Sequence, residues 1–338
     1  MKIAICLSGG VDSSFAAYLL KEQGFSLVGL TFKLFENQEE IEKAKMIAEK
    51  LEIPHHIIDL SHEFQAQIIS YFVKTYQEGK TPNPCALCNR KIKFGKVLEW
   101  ALKTLKVEKL ATGHYVGLEA YQGEVLLKKA KDHKKDQSYF LSLITKEALP
   151  FLTFPLNGYL KEDIKNLAKK IFNLETSKES QDVCFLKGKS IKEFLSLFLN
   201  PQKGPIVYKD RVVGQHEGIF FYTIGQRKGL RIPLGKPLYI IRLEAKTNTV
   251  FLGEKEDLAA KGVVLENLNL HLPINRWTSP EAQIRYRAPL VKVKDVVQKE
   301  EKTEVYFKEP VFGVTPGQVC AFYEKDFLLG GGIIVDKL

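Results

Sequence analysis

Long apolar runs are missing from this chain of 338 residues, and its first residues lack the basic and apolar zones of a signal peptide. Cysteine is scarce: the five residues are odd in number and have no spacing typical of a disulfide framework. Internal repeats and low-complexity tracts are also missing. These absences argue against a transmembrane protein and a disulfide-built secreted domain. We therefore expect reduced thiols, no membrane partner and a cytoplasmic location.

The composition is instead typical of a globular protein. Hydrophobic residues make up 45% of the chain and charged residues 27%, and the length predicts two or three domains. Lys and Arg number 50 against 40 Asp and Glu, which gives a formal net charge of +10. This excess favours a polyanionic partner such as nucleic acid, although a basic globular protein without such a partner would also carry it.

Apolar runs and helical patterns alternate over the first third of the chain. They predict strands near residues 2–7, 26–32, 57–60 and 109–112, and helices near residues 13–23, 37–51, 63–78 and 89–105. The alternation predicts an α/β fold with a doubly wound parallel sheet, whose ligand binds at the carboxyl ends of the strands. Two prolines exclude helix over residues 81–84, so we expect the fourth helix to begin only after Cys88.

Beyond residue 200 the helical patterns mostly disappear. Short β-branched runs replace them at residues 206–207, 211–213, 239–241, 263–265, 292–293, 305–307, 319–322 and 333–335. Their even spacing predicts a small barrel or a pair of sheets.

The most informative segment, residues 8–14, follows the first predicted strand. Gly9 and Gly10 let the backbone approach phosphate oxygens closely. The helix that follows directs free N–H groups and the positive end of its dipole at an anion. This is not the Walker phosphate loop, because Val11 and Asp12 stand where that motif has Lys followed by Ser or Thr. The alternative is a simple strand-to-helix turn capped by Ser8 or Asp12.

Cys85 and Cys88 have the spacing of half a zinc knuckle. Zinc needs four ligands, and the chain has no second pair of this spacing to complete a site. Thiolates are favoured beside a helix N-terminus and near basic groups, and Arg90, Lys91 and Lys93 follow at once. This pattern favours a reactive thiol site over zinc, and inert core thiols are the other alternative.

Eight motifs occur in a fixed order and cover nearly the whole chain. They are residues 8–14, 81–84 with Cys88 and Asn89, 111–115, 135–141, 180–185, 222–230, 285–287 and 315–318. Together they resemble the bacterial tRNA-specific 2-thiouridylases, ATP pyrophosphatases that replace O2 of the wobble uridine (position 34) with sulfur.

The resemblance implies three domains: an ATP pyrophosphatase domain at 1–196, a central mainly-β domain at 197–256, and a tRNA-binding β-barrel at 257–338. It implies that ATP, with Mg2+, adenylates the uridine O2 and that sulfur then attacks C2. The implied partners are the tRNAs for Glu, Gln and Lys and a sulfur donor such as a cysteine desulfurase or a sulfur-relay protein. Because the chemistry is done on a base, the uridine must leave its stack.

Site residues follow from the resemblance position by position. The implied catalytic residues are Asp12, the sulfur-carrying Cys88 and its partner Cys184. The implied ATP site comprises Cys6, Leu7, Ser8, Gly9, Gly10, Val11, Asp12, Ser13, the backbone at Phe32, and Gly113. The implied tRNA contacts are Asn83, Pro84 and Cys85 at the target base, with His114, Lys135, Asp136, Gln137, Arg285, Tyr286 and Gln318 elsewhere. The thiol chemistry calls for two thiols within disulfide reach, at least one of them with a low pKa.

Position 85 departs from the family pattern, because many members carry Asp there. Cys85, Cys88 and Cys184 could together act as ligands of a [4Fe–4S] cluster with one open iron, as in other tRNA-thiolating pyrophosphatases. The sequence thus leaves two routes open, a persulfide carried by Cys88 or Cys184 and a cluster-bound hydrosulfide.

Two other classes of function compete with thiolation. Another ATP pyrophosphatase, such as an amidotransferase-type synthetase or a tRNA lysidine-forming ligase, would not need Cys88 and Cys184. A non-enzymatic RNA-binding protein with a structural metal would have no use for residues 8–14.

Overall fold

The computed structural model describes residues 1–172, 183–230, 232 and 235–338. Residues 180–182 of the motif at 180–185 lie outside the described residues. The helices are α1 (Val11–Glu22), α2 (Gln38–Lys50), α3 (Ser61–Phe64), α4 (Ser70–Gln77), α5 (Pro84–Cys88), α6 (Leu98–Thr104), α7 (Lys161–Phe172) and α8 (Ile191–Leu195). The strands are β1 (Lys2–Cys6), β2 (Ser26–Lys33), β3 (His55–Asp59), β4 (Lys109–Ala111), β5 (Val116–Tyr121), β6 (Glu124–Lys129), β7 (Leu152–Thr153), β8 (Gly204–Tyr208), β9 (Arg211–His216), β10 (Tyr239–Glu244), β11 (Thr249–Gly253), β12 (Ala259–Leu270), β13 (Glu281–Gln283), β14 (Val291–Gln298), β15 (Thr303–Phe312), β16 (Val319–Glu324) and β17 (Phe327–Lys337).

The first sheet is parallel and runs in the order β3-β2-β1-β4-β7. Strand β1 lies at its centre, and Ile3, Ala4 and Ile5 are almost fully buried because helices cover both faces. On one face α1, α2 and α7 pack together, and on the other α4, α5 and α6 pack. The predicted doubly wound α/β sheet is confirmed.

Two long helices are interrupted by π-helical segments. Gln65–Ile69 joins α3 to α4, and Asn89–Val97 joins α5 to α6. Such segments are rare and are often found at functional sites. The second one directly follows Cys88.

The fourth helical region begins earlier than expected. Pro84 is its first residue, and the side-chain oxygen of Asn83 accepts a hydrogen bond from the backbone N–H of Ala86 at 3.1 Å. The prediction that helix begins only after Cys88 is therefore wrong. Proline is tolerated at the first helical position, where its missing N–H has no intrahelical partner in any case. Cys85 and Cys88 consequently lie in the first turns of this helix.

Two further sheets account for the predicted β-rich part of the chain. The central sheet has the order β10-β11-β8-β9. Strands β12-β15-β14-β13-β16-β17 form the third sheet, which a β12–β17 pairing closes into a barrel. The hairpin β5–β6 extends this sheet, because Leu127 and Lys128 pair with Leu328 and Phe327 of β17. The barrel and the first domain therefore share backbone hydrogen bonds.

No helix in the described part of the chain is long and apolar enough to cross a membrane.

Candidate active site

Residues 7–10 form the loop between β1 and α1, at the carboxyl edge of the parallel sheet. The hydroxyl of Ser13 donates to the carbonyl of Gly10 at 3.0 Å, and the N–H of Ser8 donates to the Ser13 hydroxyl at 3.1 Å. Gly9 has φ of 71°, and a Cβ on it would lie 2.5 Å from Cβ of Lys43. A side chain at position 9 would thus be strained and would collide with α2. The loop is held by its own short-range hydrogen bonds, with the N-terminus of α1 open toward a ligand.

Asp12, in the first turn of α1, is held by two partners from distant parts of the chain. Its carboxylate accepts two hydrogen bonds of 2.6 Å from Nζ of Lys161 and one of 2.7 Å from the hydroxyl of Tyr115. The side chain of Lys161 is only 10% exposed, so this ion pair is largely shielded from water. The arrangement places one cation and one carboxylate beside the loop that the sequence predicts to bind phosphate.

Lys161 was missed by the sequence reasoning. It is the first residue of α7. Helix dipoles disfavour a cation at this end, and Glu162 and Asp163, which follow, are the usual choice there. A lysine placed against the dipole is the signal that could have revealed a buried acidic partner.

The other predicted ATP-site residues surround the same loop. A Cβ on Gly113 would lie 2.9 Å from the carbonyl carbon of Asp12, so the chain after β4 approaches the loop closely only because position 113 is glycine. Phe32 lies near the carboxyl end of β2, which neighbours β1. The backbone N–H of Leu7 donates to the carbonyl of Leu30 at 2.9 Å. Cys6 is buried, which raises its pKa to about 12 and makes it an inert thiol at neutral pH.

The three remaining predicted thiols differ in exposure. Cys88 is buried, Cys85 is half-buried and Cys184 is exposed. They lie close enough that charge on Cys184 raises the pKa of Cys85 and of Cys88. The fold therefore brings together cysteines that are 96 residues apart (184 − 88).

The expectation of a low-pKa thiolate is not met. Burial raises the pKa of Cys85 to about 11 and of Cys88 to about 12, and loss of hydration also raises the pKa of Cys184. The positive charge of Lys93 acts in the opposite direction on all three thiols but is the weaker influence. Desolvation of a thiolate thus outweighs the helix N-terminus and the basic residues that the sequence reasoning relied on.

His114 lies beside the same lysine. Burial, and to a smaller extent the positive charge of Lys93, holds the pKa of His114 well below its usual value, so the ring is neutral at physiological pH. Its Nδ1 is 2.7 Å from the hydroxyl of Thr112, and its ring lies 5.7 Å from that of Phe94.

Within the described residues, no group of three His, Cys, Asp or Glu side chains could hold a metal ion. Ligation of a [4Fe–4S] cluster by Cys85, Cys88 and Cys184 stays a prediction.

Apart from residues 83–85 and His114, described above, the residues predicted to contact tRNA fall into two groups. Asp136 and Gln137 stabilise their own turn: Asp136 accepts from the N–H of Ala130 at 2.8 Å, and Gln137 accepts from the N–H of Tyr115 at 2.9 Å. Lys135, beside them, is half-buried.

The second group lies on the barrel. Arg285 and Gln318 line a cavity of about 420 Å³ together with Thr81, Thr223, Ile224, Gly225, Gln226 and Thr315. Tyr286 packs against Phe140, with ring centroids 4.5 Å apart. The cavity therefore joins the proline-rich turn, the central sheet and the barrel. Direct RNA contact by any of these side chains stays a prediction.

Comparison with known proteins covers the whole chain. Residues 1–188 match the tRNA methyl transferase HUP domain, 192–254 the tRNA methyl transferase PRC-barrel domain, and 261–334 the aminomethyltransferase beta-barrel domain. The tRNA-specific 2-thiouridylase MnmA of Aquifex aeolicus (strain VF5) is 43% identical over 100% of both chains. The enzyme of the same name from Persephonella marina is 41% identical over 99% of this chain and 100% of its own length.

Among solved structures, a 4-thiouridine synthetase–RNA complex with bound ATP matches 51% of this chain and 40% of that one, at 19% identity and a TM-score of 0.35.

Proposed function

Since this chain belongs to the tRNA-specific 2-thiouridylase family, we propose that its loop at residues 7–13 and its three thiols form one active site for ATP-dependent 2-thiolation of the wobble uridine of tRNA. One observation carries this proposal. The charge of Lys93 opposes the rise in pKa that burial causes at Cys6, at the end of the strand before the loop, and at Cys85, Cys88 and Cys184. A single cation therefore acts on both the loop and the thiols.

The first half-reaction is adenylation. The uridine O2 attacks the α-phosphorus of ATP, the bond to the β-phosphate oxygen breaks, and pyrophosphate leaves. The N-terminus of α1 and Lys161 stabilise the departing phosphates. Mg2+ in nucleotide sites is held by one or two carboxylates and the substrate phosphates, so Asp12 fits a metal that arrives with ATP.

The second half-reaction transfers sulfur. Cys184 accepts the terminal sulfur from a donor protein as a persulfide, because it is the exposed thiol of the three. The thiolate of Cys88 then attacks the Cys184 sulfur, which forms a Cys88–Cys184 disulfide and releases hydrosulfide. Hydrosulfide adds to C2, and AMP leaves with the former O2. An external thiol must supply two electrons to reduce the disulfide before the next cycle.

The RNA is held by contacts that the family resemblance assigns. Asn83, Pro84 and Cys85 meet the extruded uridine, which the neutral ring of His114 adjoins. Arg285 and the exposed Lys131 and Lys134 contact phosphates.

The test is a reaction with tRNA, ATP, Mg2+ and sodium sulfide. AMP is measured by chromatography and 2-thiouridine by mass spectrometry of digested nucleosides. We expect AMP and 2-thiouridine to appear together only when tRNA is present. ATP cleavage without tRNA thiolation, or sulfur found at another nucleoside, would contradict the proposed function.

A further inference from the structure

Gln318 of the barrel holds the backbone of the proline-rich turn. Its side-chain amide nitrogen donates to the carbonyl of Thr81 at 3.1 Å and to that of Pro82 at 3.0 Å. The backbone N–H of Thr81 in turn donates to the carbonyl of Pro316 at 2.8 Å. Both hydrogens of the Gln318 amide and four backbone groups of the two segments are thus committed to this contact.

The segment that Gln318 holds, residues 81–82, leads directly to the thiols. Pro82, Asn83 and Pro84 are buried, and Asn83 caps the helix that carries Cys85 and Cys88. From Thr81 to Cys85 the chain spans four residues, at most about 14 Å when extended. Because two of the intervening residues are prolines, little freedom remains to absorb a shift at Thr81 before it reaches Cys85.

The same amide borders the cavity of about 420 Å³ that Arg285 lines. Arg285 donates to the hydroxyl of Thr315 at 3.3 Å and forms no ion pair with any residue in the described ranges. Gln318 therefore stands between a cavity with an uncompensated positive charge, suited to an RNA phosphate, and the turn that carries the reactive cysteines.

We propose that Gln318 is a positioning residue for sulfur transfer: its two hydrogen bonds to Thr81 and Pro82 tie the RNA-facing barrel to the thiol-bearing helix. The inference rests on the proposed function and adds that the barrel has a part in the chemistry beyond RNA affinity. Misplacement of reacting groups by about 1 Å can slow a reaction roughly a hundredfold.

The chain offers a matched control for this contact. Asn269, also on the barrel, donates from its side-chain amide to the carbonyls of Ser142 at 2.9 Å and Ile144 at 2.8 Å. It makes the same kind of double contact with the first domain, but to a segment that does not lead to the thiols. Asn269→Leu therefore removes an equivalent contact from the barrel interface without disturbing the proline-rich turn.

The experiment compares Gln318→Met with Asn269→Leu in the full-length protein. Thiolation and pyrophosphate release are measured at varied tRNA concentration, and thermal unfolding is followed alongside. For Gln318→Met we expect the kcat for 2-thiouridine to fall at least about tenfold. KM for tRNA and single-turnover pyrophosphate release should stay within about twofold, so that adenylated tRNA forms without matching thiolation. Asn269→Leu should lower the unfolding temperature comparably and leave the ratio of 2-thiouridine to pyrophosphate unchanged.

Three outcomes would overturn the inference. If Gln318→Met raises KM for tRNA at unchanged kcat, the side chain contacts RNA and positions nothing. If Asn269→Leu uncouples pyrophosphate release from 2-thiouridine formation equally, general docking of the barrel is responsible. A Gln318→Met protein with wild-type kinetics would also reject it. Should Asn269→Leu fail to fold, Tyr121→Phe serves as control, since it removes only the hydrogen bond from the Tyr121 hydroxyl to Glu324. Failure of the proposed function would be seen separately, as wild-type protein that makes no 2-thiouridine.

Discussion

The loop proposed to bind ATP and the proposed thiol site are built by the chain in different ways. The loop is one contiguous segment whose Ser8, Gly10 and Ser13 hydrogen-bond to one another. The proposed thiol site needs Cys88 and Cys184, which are 96 residues apart in sequence (184 − 88), and a turn that Gln318 of the barrel holds. A local site is fixed by its own sequence, whereas a dispersed site depends on every interface that positions it.

The largest expected effect tests the local site. Asp12→Ala should abolish AMP formation and thiolation together, because the loop loses its only carboxylate and the ion pair with Lys161 is broken. Lys161→Met should lower AMP formation at least about a hundredfold, since a donor to the phosphates is lost. Lys169→Met, on the exposed face of the same helix, is the control and should be neutral. Steady-state AMP release measures all three, and AMP formation by Asp12→Ala at the wild-type rate would refute the assignment.

The second effect should separate the two sites. Cys184→Ser and Cys88→Ser should each lose 2-thiouridine formation while still releasing pyrophosphate in a single turnover, because adenylation needs no thiol. The readout is the ratio of 2-thiouridine to pyrophosphate, with a cysteine desulfurase as the sulfur source. Equal loss of both products would mean that the thiols belong to the ATP site itself.

A smaller effect should come from Lys93. The pKa of Cys184 is raised by loss of hydration, so its thiolate fraction is low at neutral pH and grows as pH rises. The charge of Lys93 partly offsets this rise. Lys93→Met should therefore raise the pKa of Cys184 further, by roughly half a unit, and slow its alkylation by iodoacetamide at pH 8 about threefold. Lys91→Met, exposed on the same helix, should change nothing. Peptide mass spectrometry at several pH values measures the alkylation rates. Faster alkylation in Lys93→Met would show that Lys93 does not lower the pKa of Cys184.

The smallest effect is expected at Cys85. On the persulfide route this thiol carries no sulfur, and Cys85→Ser should keep thiolation within about tenfold of wild type in air and without iron. Cys85→Asp introduces the residue that many family members carry and should retain at least as much thiolation activity as Cys85→Ser. Simultaneous loss of iron, brown colour and thiolation in anaerobically purified Cys85→Ser would establish the cluster route instead.

Much of the first domain was readable from local pattern. The buried run Ile3–Ile5, the two glycines and the helix that follows predicted both the central strand and the anion-binding loop, because each feature depends on neighbours in sequence. The predicted start of the helix after the proline-rich turn was a few residues too late. Two prolines disfavour a helix interior, yet Pro84 suits its first position once Asn83 provides the cap.

The hairpin β5–β6 was not predicted, although the sequence carries a local signal for it. Gln122 and Gly123 form its two-residue turn, and both have positive φ. The pairing of this hairpin with β17 had no local signal, because it joins residues about 200 positions apart. The partners of Asp12 were hidden for the same reason: Lys161 reaches it through the packing of α7 against α1, and Tyr115 through the pairing of β4 with β1.

The sequence by itself determined the sheet, the loop predicted to accept phosphate, the cysteines proposed to carry sulfur and the family to which the chain belongs. These follow from periodicity, backbone freedom and side-chain chemistry, which are carried by short segments. Only the tertiary structure decided the ionisation of the thiols, the pairing of Asp12 with Lys161 and the grip of Gln318 on the turn before Cys85. Burial and long-range hydrogen bonds control those properties, and both arise only when distant parts of the chain are brought together.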